Sequence, residues 1–146
     1  MAGQYTIRWR WLRAMYVYTA IVAGGFGLAV ILVPERVQSI FNMPAQDPVV
    51  FGLNGSLFLS LGLAAIAGVR APLRYCPVLL IELVYKLIWL LGVVLPLAMK
   101  GEFPASAAVQ VVIFVTFIAG NLVAIPFRYV FARDAYQPGP GREKAA

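Results

Sequence analysis

Glu82, Tyr85, Lys86 and Trp89 stand at i, i+3, i+4 and i+7 in the stretch ELVYKLIWLLGVVLP, residues 82–96. That spacing puts all four on one face of a helix. A carboxylate and an ammonium can pair with each other, handle protons or anchor a ligand. Two aromatic rings beside them can stack on a flat or apolar molecule, or face a cation. The neighbouring residues are mostly Leu, Ile and Val, so the charges lie within a segment that otherwise reads as buried in lipid. An unpaired charge at the bilayer centre costs at least about 2.5–3.5 kcal/mol on insertion scales. The charged face must therefore turn toward other helices.

Glutamate four residues before lysine is the favourable order for a salt bridge along one helix. Their remaining hydrogen-bonding capacity must be met from other helices. At about 1.5 Å per residue, Lys86 falls near mid-membrane and Glu82 about 6 Å closer to the cytoplasm. The same depth count brings Thr19, Tyr16 and Asn121 near Glu82, and Ser60 and Thr116 near Lys86. Glu82, Lys86, Tyr85, Trp89, Asn121, Thr116, Ser60 and Thr19 form the expected polar centre. Two roles stay open for the pair: fixing helix orientation as a neutralised ion pair, or forming a binding or proton-handling site.

Other chemistry finds little support. The chain has no histidine and one cysteine, Cys76. The commonest ligand for haem or zinc and the commonest general base are thus absent, and no intrachain disulfide can form. There is no GxSxG, Gly-rich phosphate loop, CxxC or HExxH. No metal, cofactor or catalytic residue is expected. The net charge of +6 resides at helix ends, where it reports topology and not a nucleic-acid surface.

The elements that must position the site follow from hydropathy. Of 146 residues, 62% are hydrophobic and only 12% charged, about half the charge of a soluble domain. Four apolar runs approach the roughly 20 residues that a bilayer core requires. The expected fold is an all-α integral membrane protein, a four-transmembrane-helix bundle with a short interfacial helix in the first loop. Its spans cover about 11–33, 49–69, 74–99 and 105–127, within a membrane domain of 11–133. Residues 1–10 form a cytoplasmic N-terminus, and 134–146 a disordered cytoplasmic tail rich in Pro and Gly. The first run is too long for a signal-peptide core and is read as an uncleaved span.

Small residues suggest where helices approach. AGGFG, residues 23–27, lies within the first span. The second span carries Gly52, Ser56, Ser60, Ala64 and Gly68 at four-residue intervals, a ladder expected to make the tightest helix contact. Pro34, Val37, Ile40 and Phe41 suit a short helix lying on the bilayer. Pro96 is expected to bend the third span. Arg8, Arg10, Arg13, Arg70, Arg74, Arg128, Arg133, Arg142 and Lys144 fall on one side, against Arg36 and Lys100 on the other. By the positive-inside rule, both termini are expected in the cytoplasm of a multi-pass inner-membrane protein.

This layout, with YKLIW followed by Pro96, resembles small bacterial four-helix membrane proteins of the broad DoxX-like type. The resemblance implies a four-helix bundle in a bacterial inner membrane. Some members of that group are linked to quinone-dependent oxidation, but no catalytic residue carries over.

The leading functional expectation is a binding or accessory protein whose Glu–Lys centre recognises a partner helix, lipid or hydrophobic small molecule. The implied partners are membrane lipid, a second copy or another membrane protein, and such a small molecule, with no nucleic acid. Two alternatives are a dimeric proton-coupled transporter using Glu82, and a membrane enzyme acting on a lipid-soluble substrate, an isomerase or quinone-linked oxidoreductase.

Overall fold

A computed structural model describes residues 7–131. The expected tail and its basic residues Arg133, Arg142 and Lys144 lie outside the described residues, as does most of the expected N-terminal segment. Among the described residues six helices follow one another: α1 (Trp9–Leu32), α2 (Pro34–Ile40), α3 (Pro48–Arg70), α4 (Cys76–Met99), α5 (Ala105–Ala124) and α6 (Phe127–Val130). No strand occurs among the described residues. Helices α1, α3, α4 and α5 are each long and apolar enough to cross a membrane. Their outward faces carry exposed Ile21, Leu53, Leu57, Ile88 and Leu91, an apolar coat on a scale that soluble monomers rarely expose.

Local chemistry sets the helix ends. The Asp47 carboxylate caps α3, accepting from the backbone N–H groups of Val49 and Val50 at 3.0 and 2.9 Å, while Pro48 occupies the first turn. The fourth long helix ends at Ala124, short of the expected position 127. Pro126 restricts the residue before it, and Ile125 adopts an extended ψ of 122°. Helix α2 forms where Pro34 and the Val37–Ile40–Phe41 spacing suggested. The turn that follows it reaches Asn42, whose φ of 50° is left-handed. Asparagine tolerates that conformation, and the reversal is closed by the Met43 N–H bonding to the Gln38 carbonyl at 2.8 Å.

The long helices close a ring in the order α1, α3, α4, α5, with α1 touching both α3 and α5. The α1–α3 seam is antiparallel and made by glycine. A Cβ on Gly62 would strike the Gly24 backbone, and one on Gly27 would strike Gly55 and Leu59. The AGGFG stretch therefore makes the close approach expected of it.

The expected ladder on α3 does not make this contact. Ser56 and Ser60 are exposed, and a Cβ on Gly52 would meet nothing within 4 Å. Four-residue steps overshoot each helical turn by about 40°, so Gly52 and Gly68 point about 160° apart. Only Gly68, packed on the Tyr16 ring, reaches the core from that ladder, while Ala64 stays half-buried. The inward face is instead Phe51, Gly55, Phe58, Gly62 and Ala65, whose alternating steps of four and three follow the 3.6-residue period.

Two helices contain a wide π-type turn, α1 at Ala20–Gly24 and α4 at Leu90–Val94. In α4, Pro96 supplies the cause. It has no N–H for the Gly92 carbonyl, and its ring crowds that carbonyl. In α1 the wide turn follows Thr19 directly. It advances with less rotation per residue, so Gly24 joins the same inward face as Thr19.

Candidate functional site

Glu82 and Lys86 occupy adjacent turns of α4, and both side chains are 0% exposed. The Lys86 ammonium donates to Glu82 Oε1 at 2.8 Å. Glu82 Oε2 accepts from the Thr19 hydroxyl at 2.8 Å, which joins α4 to α1 across the bundle centre. Lys86 also donates to the Tyr85 hydroxyl at 2.8 Å. The ammonium lies 4.1 Å from the ring centre of Phe117, 4.5 Å from that of Tyr85 and 5.1 Å from that of Phe114. One carboxylate, one hydroxyl and three aromatic faces thus replace water around the cation. The charge pair is neutral as a unit, as burial requires.

The expected centre assembles in part. Glu82, Tyr85, Lys86 and Thr19 meet directly. Trp89 sits one layer away, its ring 5.0 Å from Phe114 and edge-on to it. Asn121 is fully buried, but its amide oxygen and nitrogen have no hydrogen-bond partner among the described residues.

Ser60 and Thr116 do not join. Ser60 is exposed and donates back to the Ser56 carbonyl at 2.8 Å, a bond that satisfies a hydroxyl within its own helix. Thr116 pairs with the Tyr18 hydroxyl at 2.7 Å and donates to the Ile113 carbonyl at 2.6 Å, on an exposed flank of α1 and α5. Depth alone selected both residues, and depth carries no information about direction around the helix. Tyr16 also departs from Glu82: its hydroxyl donates to the Pro72 carbonyl at 2.6 Å and ties the α3–α4 turn to α1.

Sequence reasoning missed Phe58, Phe114 and Phe117. Phe114 and Phe117 share the buried face of α5 with Asn121 and Ala124. Their alternating three- and four-residue spacing was the available signal. Phe58 lies on the inward face of α3 and joins the Tyr85 and Phe114 rings at centroid distances of 6.1 and 6.4 Å.

Beside this cluster lies a cavity of about 320 Å³. It is bounded by α1, α2, α3 and α5, and Lys86 forms part of its wall. Phe26, Phe41, Phe58, Phe114 and Phe117 give it an aromatic lining; Gln110 and Lys86 are the polar side chains there. On α1 the lining runs from Val22 to Ala29, about 10 Å along the axis. The cavity therefore reaches from the middle of the bundle to the end covered by α2. Although Lys86 borders it, the side chain is fully covered, and Phe114 and Phe117 pack against the ammonium from the cavity wall. A second cavity, about 550 Å³, lies between α2 and the start of α3 and includes Glu35, Gln38 and Gln46. It touches none of the buried polar centre.

Among the described residues, no three His, Cys, Asp or Glu side chains cluster as metal ligands. The chemistry available is hydrogen-bond donation from a neutralised cation and apolar contact. No protein family profile, curated protein or solved structure matches this chain.

Proposed function

We propose that this chain is a multi-pass protein of the cell inner membrane that binds a hydrophobic small molecule in the cavity beside Lys86. The observation that carries the reading is the cavity itself, about 320 Å³ of aromatic-lined space against a buried ammonium. It lies at the lower end of the size range of small-molecule pockets and combines an apolar wall with few polar groups, as such pockets do.

Within this reading the ion pair is an anchor. One Glu82 oxygen is held by Lys86 and the other by Thr19. That arrangement favours a fixed polar wall over a proton-coupling carboxylate. The arginine distribution supports cytoplasmic termini, an orientation that sets α2 on the opposite side. The DoxX-like resemblance contributes the four-helix layout and no activity.

Gly25 provides the test. It lines the cavity, and a Cβ there would meet nothing within 4 Å. Gly25 is itself exposed and stands on the open rim of the cavity, so Gly25→Leu should crowd the entrance without disturbing the backbone. Protein extracted gently from its native membrane should retain a lipophilic molecule detectable by mass spectrometry, at least fivefold less of it in Gly25→Leu. Equal retention by both proteins would contradict the reading.

A further inference from the structure

The hydrogen-bond inventory around Lys86 narrows the class of ligand. An ammonium has three N–H groups. Two meet oxygen acceptors, Glu82 Oε1 and the Tyr85 hydroxyl. The third faces aromatic rings. Both carboxylate oxygens are already engaged. Lys86 is the member of the pair that lines the cavity, so its third N–H, without an oxygen acceptor among the described residues, is the donor nearest that space, while the net charge of the pair is zero.

From this we infer that the cavity takes a neutral, largely apolar molecule carrying one carbonyl-type acceptor, with the carbonyl directed toward Lys86. The inference rests on the proposed binding role and adds the chemistry of the ligand. An alkane would leave the spare donor unanswered. A carboxylate would bring an uncompensated negative charge beside Glu82 into a region of low dielectric, where charge is costly. A ketone or ester oxygen accepts a charge-assisted hydrogen bond without altering the net charge. The ammonium is covered in this structure, so the carbonyl reaches it when the Phe114 or Phe117 ring swings aside.

Trp89, in edge contact with Phe114, provides the readout. In phospholipid nanodiscs, Trp9→Phe with Trp11→Phe leaves Trp89 as the sole tryptophan of the chain. Chain-brominated probes of equal length would quench it: a methyl ketone, an alkane and a fatty acid above its pKa. Phospholipid ester carbonyls form a constant background in every arm. The ketone should reach half-quenching at about one-tenth the membrane fraction needed by the alkane, as a bond to a charged donor implies. The fatty acid should be weaker than the ketone.

In Glu82→Leu with Lys86→Met, which removes both charges together, the ketone should fall to the alkane's level. Thr19 can then donate back to its own helix. If that variant fails to fold, the ranking of the three probes on the otherwise native chain decides alone. Equal quenching by ketone and alkane, or strongest quenching by the acid, would overturn the ligand class while leaving cavity binding intact. Non-saturating quenching by every probe, unchanged by Gly25→Leu, would overturn the underlying binding role as well.

Discussion

Lys86 and Glu82 stabilise each other because each answers a cost that the other creates. Removing one partner of a buried pair leaves an uncompensated charge and costs about 3–5 kcal/mol, whereas replacing both by apolar residues is often neutral or stabilising. Lys86→Met alone is therefore expected to destabilise the protein by about that amount. Glu82→Leu combined with Lys86→Met should restore most of the loss, as measured by a double-mutant cycle of unfolding in detergent. A double variant as unstable as Lys86→Met would show that the pair contributes more than mutual neutralisation. At this scale the sequence was highly legible. The i,i+4 order and the cost of isolated charge in lipid predicted the salt bridge, and depth counting found Thr19. It could not tell that Thr19 reaches its charge while Ser60 does not, because depth along a helix carries no direction around it. That direction depends on helix rotation, which the wide turn in α1 also alters.

At the scale of elements, neighbouring glycines of α1 have opposite roles. Gly24 and Gly27 meet the backbone of α3, whereas Gly25 faces open space. Gly27→Leu or Gly62→Leu must push two helices apart and is expected to cost at least about 1–3 kcal/mol, the usual range for overpacking. Gly25→Leu should leave the unfolding midpoint unchanged or raise it, since leucine favours helix more than glycine does. Thermal unfolding of the three variants in one detergent checks this. Similar losses in all three would mean that Gly25 is also a packing position. The apolar runs revealed the number of long helices and placed most ends within two residues. The α1–α3 seam was only half legible. AGGFG marked one side correctly, but counting small residues by fours on α3 selected an outward stripe, because five repeats accumulate more angular drift than a helix face can hold.

At the scale of the whole molecule, the described residues show an apolar exterior, one arginine-rich end and a cavity that extends to the end covered by α2. With Cys76 buried at 1% exposure, introduced cysteines can report topology against a silent native thiol. A membrane-impermeant maleimide applied from the side opposite the proposed cytoplasmic face is expected to label Gly101→Cys but not Ala71→Cys; the reverse pattern would invert the proposed orientation. The cavity itself was not readable from sequence. Space depends on how Phe26, Phe58 and Phe114 from three helices fail to fill a volume together, and no single-helix pattern encodes that failure. Its occupancy is the central claim, and photolabelling tests it most directly. A neutral diazirine-bearing lipophile, activated by light with the protein in vesicles, should place most adducts within residues 22–29, 37–43 and 110–117, and Gly25→Leu should reduce them at least fivefold. Adducts concentrated instead on the outward Leu53, Leu57, Ile88 and Leu91, and unaffected by Gly25→Leu, would contradict a ligand site in the cavity.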